Sequence, residues 1–184
     1  MGRGIKIFII FNAFLMIGGC TTTNSIPYKA STSNVIVMQD VLSQTGNKVA
    51  IGSVSMSPEI SDAPNCRLNG PIRVAPGKSL AEYVEEALVE ELFLARVYDP
   101  SSPLIIDAVI EEAKFSSVTP AAWDISMSVN SSSYQGYSVS VFYQFKTSWD
   151  AFSACQNVAD AFGPAVQALL GKLVTHPEFP LLVQ

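Results

Sequence analysis

The chain has 184 residues, of which 48% are hydrophobic, with 11 basic against 16 acidic side chains and a net charge of −5. That length holds one domain with a core of its own. The acidic balance excludes an electrostatic footprint for nucleic acid or for anionic lipid headgroups, and one histidine with three cysteines in no CxxC spacing argues against a His/Cys metal site.

Residues 1–19 have the three parts of an export signal. Arg3 and Lys6 give a positive start, Ile5 to Ile17 is apolar apart from Lys6 and Asn12, and Gly18-Gly19 follow. The apolar part is short for a permanent membrane helix, which needs about 20 residues. Ile17-Gly18-Gly19-Cys20 fits the bacterial lipobox, an aliphatic residue and two small ones before a cysteine that becomes the lipidated N-terminus. Two or more acyl chains hold a protein at a membrane, at about 0.8 kcal/mol per buried methylene. The alternative is an ordinary cleaved signal with a chance cysteine. Thr21, in place of an aspartate after Cys20, points to the outer membrane and its periplasmic face. Removing residues 1–19 takes away Arg3 and Lys6 and leaves 9 basic against 16 acidic residues, net −7.

Residues 20–34 are short, polar and rich in Ser and Thr, and read as a lipidated tether to a single periplasmic domain over 35–184. "NVIVMQDVL" and "NKVAIGSVSM" read as strands. Residues 57–77 hold Pro58, Pro64, Pro71, Pro76 and Cys66, and read as a long loop. "SLAE" at 79–82 is a capping box, and Ala81, Val84, Leu88, Leu92 and Ala95 make one apolar helical face. Five glutamates between 82 and 91 read as the solvated side of that helix, with a cation site as the alternative.

Three strands follow. Leu104, Ile106, Ala108 and Ile110 share a face; Trp123, Ile125, Met127 and Val129 alternate with Asp124, Ser126, Ser128 and Asn130; Tyr137, Val139, Val141, Tyr143 and Phe145 repeat the pattern. A single polar face per strand predicts a largely antiparallel sheet covered on one side. "NSSSYQG" is the hairpin loop between the last two strands. Residues 151–174 form a closing helix with Cys155 on its apolar face, which Gly163-Pro164 is expected to kink or divide. "THPEFPLLVQ" reads as an extended tail, either packed or open to a partner.

Cys66 and Cys155 remain as a pair in a compartment that permits disulfides. A bridge would close a loop of about 90 residues, worth about 4 to 5 kcal/mol in the chain-entropy model; two unrelated buried thiols are the alternative. The fold class expected is α/β in the α+β sense, a two-layer sandwich of four or five mostly antiparallel strands with two helices on one face.

The element order behind the lipobox, with the stretch from Ser79 to Ile110, resembles the YajG-type envelope lipoproteins. More loosely it resembles auxiliary lipoproteins of ABC-type and MCE-type lipid transport. "CRLNGPIRVAPGKSLAEYVEEAL" and "ACQNVADAFGPAVQALLGKLVTHPEF" are similar to an uncharacterised proteobacterial lipoprotein family with paired cysteines. The function class expected is an accessory or structural component of an envelope complex, held at the membrane by its lipid and contacting another protein or its own copies. The alternative is a periplasmic lipid-, glycan- or peptide-binding module. Catalysis would need a base positioned beside its partner. Asp107, Glu111 and Glu112 come nearest to a carboxylate cluster and read as a solvent-facing strand edge. The expectation is a non-enzyme without cofactors.

Overall fold

The alternating pattern between residues 104 and 145 becomes three consecutive strands in the computed structural model, which describes Thr22–Thr23 and residues 26–184. The expected signal peptide and the lipidation site Cys20 lie outside the described residues. In chain order the elements are β1 (Thr22–Thr23), α1 (Thr32–Thr45), β2 (Ala50–Met56), β3 (Ile72–Arg73) and α2 (Leu80–Leu94). Then come β4 (Ile105–Ser116), β5 (Ala122–Ser131), β6 (Tyr137–Gln144), α3 (Ala151–Val174) and the single turn α4 (Phe179–Leu182). The main sheet has the order β2-β4-β5-β6, and β1 with β3 makes a separate parallel pair. β5 is antiparallel to both β4 and β6, while β2 joins β4 in parallel, so the four-stranded sheet is mixed. The α+β class stands.

One face of the sheet is buried, through Ile106, Ala108, Ile110, Trp123, Ile125, Met127, Val129, Val139 and Val141. α2 packs over β2, and α3 packs over β5 and β6. The layers are joined by aromatic rings meeting edge to face: Phe115 with Trp123 (5.1 Å), Trp123 with Phe162 (5.0 Å) and Phe162 with Tyr83 (5.3 Å). Trp123 also donates its indole N–H to the Val158 carbonyl at 2.8 Å, so the buried ring keeps its one polar atom paired. The β5–β6 hairpin turns at Gly136, where φ is +89° and an added Cβ would lie 1.6 Å from the Val129 oxygen. Only glycine fits there.

Four sequence expectations are corrected. "NVIVMQDVL" is helical, not a strand: Ser31 caps α1 by accepting from the Asn34 amide, and Asn34, Met38 and Leu42, four apart, bury against α2 and α3. Its β-branched residues favour a strand locally, but tertiary packing of the period-four face overrides that preference. The fold therefore has a third long helix, and the domain draws in residues assigned to the tether. The Thr22 amide donates to the Pro71 carbonyl at 3.0 Å, and Tyr28 and Ser31 bond to α2. α3 is not divided at Gly163-Pro164: it runs on through Pro164, which is exposed, with Gly163 buried. The tail is not extended: Phe179, Leu182 and Val183 are buried, and Asn47 Nδ2 donates to the Val183 carbonyl at 3.0 Å.

Candidate functional site

The two remaining cysteines meet. Cys66 and Cys155 form a disulfide with their Cα atoms 5.9 Å apart, fastening the proline-rich loop to α3. Next to the bridge, Arg67 has a φ of +51°, a left-handed conformation that side chains rarely adopt. Its guanidinium holds two other segments, at Ser117 and at Ser148–Trp149. Nε donates to Ser117 Oγ (3.1 Å), Nη2 to the carbonyls of Ser117 (2.7 Å) and Ser148 (3.3 Å), and Nη1 to the carbonyl of Trp149 (3.3 Å). Arg67, Val118, Thr119, Thr147, Ser148 and Trp149 line an open cleft of about 570 Å³. The side chains of Leu68 and Trp149 are fully exposed, at 104% and 103%, and those of Val118 and Phe152 largely so. The cysteines can be paired from the sequence, whereas no local pattern marks Arg67 or Trp149.

A second cluster lies where α1, α2 and α3 meet. Glu91, read as part of a solvated face, is fully buried. Its Oε1 accepts from the Tyr28 hydroxyl (2.8 Å), the Ser31 amide (2.8 Å) and Asn34 Nδ2 (3.3 Å), so a carboxylate closes the N-terminus of α1. Asn34 Nδ2 also donates to the Gln167 carbonyl at 3.0 Å, which ties in α3. Among the described residues Glu91 Oε2 and the Tyr83 hydroxyl have no hydrogen-bond partner. Burial raises the Glu91 pKa, against the lowering effect of its three donors. Burial likewise pushes Tyr83 up to about 12 and Tyr28 higher still, with Glu91 adding to the Tyr28 shift. Spacing did carry a signal here, because Glu91 stands three after Leu88 and seven after Val84, on the apolar face. Beside this junction an open cleft of about 400 Å³ is lined by Ile26, Pro27, Tyr28, Tyr83, Glu86 and Glu90, among others.

The other sequence candidates are not drawn into one centre. Asp107 accepts from the Ser53 amide and hydroxyl, both at 2.8 Å, and so secures β2 against β4. A register shift between Ile110 and Glu112 turns Glu111 and Glu112 away from the core together, and Glu112 pairs with Lys114. In the hairpin loop, the hydroxyls of Ser132 and Ser133 donate to the carbonyls of Pro103 and Gln184. His176, distant in sequence, is near this hairpin in space, stacked on Tyr137 with ring centres 4.0 Å apart. Its Nδ1 accepts from the Glu178 amide, and Tyr134 donates to Glu178 at 2.6 Å, so these groups serve to lock the tail.

The fourth feature is an edge. Among the described residues β6 is the last strand of the sheet and pairs on one side, with β5. Its sequence, YSVSVFYQ, has no charge, no proline and no glycine, and no bulge interrupts its register from Tyr137 to Gln144. Edge strands of monomeric proteins are usually blunted by such devices. Phe142, on its outer face, is 58% exposed. β2, the other edge, is partly occupied: Val49 bridges to Tyr98, with hydrogen bonds to Val97 and Asp99.

No family model and no curated protein matches the chain. A crystal structure of a Xanthomonas campestris protein of the family DUF330 is similar to it, with a TM-score of 0.49 at 10% sequence identity, covering 84% of this chain and 90% of that one. Among the described residues no helix is long and apolar enough to cross a membrane.

Proposed function

We infer that the chain is a lipoprotein, anchored through Cys20 at the periplasmic face of the outer membrane, that serves as an accessory or structural subunit of an envelope complex. The observation that carries the docking role is the β6 edge. Eight uncharged residues offer one row of backbone donors and acceptors, the template for strand addition by another chain or a second copy. The lipobox Ile17-Gly18-Gly19-Cys20 supports the address. The clefts are open surface depressions, which fit a contact protein better than a carrier enclosing its cargo. The alternative, a small-ligand binding module, draws on the cleft beside Tyr28 and Tyr83.

Two substitutions test this reading. Metabolic labelling with a fatty acid marks the wild type and not Cys20→Ser, which also leaves the outer-membrane fraction; label persisting on Cys20→Ser contradicts the anchor. Ser140→Lys places a charge in the middle of the exposed side of β6, and is expected to abolish co-purification of neighbours with an unchanged Tm. If every neighbour is retained, docking at β6 is wrong.

A further inference from the structure

Exposed apolar side chains gather at the disulfide end of the molecule. Leu68 is two residues from Cys66, and Phe152 three residues before Cys155 on α3. Trp149 is joined to the same place through Arg67, and Val118 shares the cleft wall with both. Full exposure of a leucine and a tryptophan leaves apolar surface in water, and such patches mark contact sites. Asp150, next to Trp149, is engaged in capping α3, accepting from the Ser153 amide at 2.7 Å.

The chain toward Cys20 leaves from this same end. Asn69 Nδ2 donates to Thr22 Oγ1 at 2.9 Å, and the Thr22 amide bonds to Pro71, so Thr22 is held beside the loop that carries Leu68. Cys20 is two residues before Thr22, so no more than about 7 Å of chain separates them. A lipid on Cys20 therefore brings this end against the bilayer, with little room for a protein between. Tryptophan prefers the membrane interface, where its ring is apolar and its N–H stays wet.

We propose that Leu68, Val118, Trp149 and Phe152 form a bilayer-seating patch, which enters the interface of the membrane that holds the Cys20 lipid and sets the domain disulfide-end down. The proposal rests on the anchored reading given above. The ligand is a zwitterionic lipid surface, since the acidic chain gains nothing from anionic headgroups.

The test uses the full chain produced in its cells, purified from membranes and reconstituted into phosphatidylcholine vesicles with or without bromine on the acyl chains. Trp149 is one of two tryptophans, and Trp123 is buried in the core, so the wild type is expected to lose roughly half its emission to the bromines. Trp149→Phe, at a fully exposed position, should lose almost none. Mass analysis of the N-terminal peptide reads the anchor separately. A lipidated Cys20 with Trp149 unquenched by bromine and open to aqueous iodide overturns the patch alone. Shielding of Trp149 from both quenchers means that a second copy covers it, and also overturns the proposal. An unlipidated Cys20 overturns the anchored reading, and the seating with it.

Discussion

Glu91 shows how one side chain changes meaning once its neighbours are known. A buried carboxylate with three donors on one oxygen and none on the other is stable only while those donors stay in place. Glu91→Ala leaves the Tyr28 hydroxyl and the Ser31 amide without their acceptor and is expected to cost about 2–4 kcal/mol, read from urea unfolding midpoints. The pH dependence follows from the direction of the shift. Because burial raises the folded-state pKa above the ordinary glutamate value, the contribution is complete below that ordinary value and is lost as pH rises through the raised one. The stability of the wild type relative to Glu91→Gln should therefore fall as pH climbs above the ordinary glutamate range. A difference that stays flat, or grows with pH, contradicts this assignment.

At the scale of elements, α3 organises the fold. It carries Cys155 for the bridge, Phe162 and Val158 for Trp123, and Gly163 for α2. A Cβ at Gly163 would lie 2.8 Å from the Tyr83 hydroxyl, whose ring is held between Tyr28 and Phe162. Gly163→Ala should gain about 1 kcal/mol of helix propensity and lose more to this clash, for a net loss of about 1 kcal/mol. Tyr83→Phe removes the clashing and unpartnered hydroxyl, so the double variant should recover at least the wild-type melting temperature; additive effects in that cycle would mean the two residues do not press on each other. Replacing both Cys66 and Cys155 with alanine should cost about 4 to 5 kcal/mol for a separation of 89 residues. Retention of full stability by that variant would mean the loop is held by Arg67 and its partners without the bridge.

For the whole molecule, the central sheet was legible in the sequence because period two survives intact through Trp123–Val129 and Tyr137–Phe145. The capping box at Ser79 and Glu82 was legible because it is local, and it forms as read. α1 was not, since Val35, Ile36, Val37 and Val41 speak for a strand and the helix exists by packing against α2 and α3. Of the candidate contact surfaces, the cysteine pair could be counted from the chain, whereas the patch around Trp149 needs three distant segments gathered by Arg67. The bare edge of β6 emerges only once the strand order is known. That edge is where docking is most directly measured, with a photo-crosslinking amino acid placed in living cells at Phe142, and at Glu111 on the middle strand β4 as the comparison. Docking by strand addition predicts one discrete crosslinked product from position 142 and none from position 111. A product from position 111 with none from 142 would put the partner elsewhere on the sheet and contradict docking at β6.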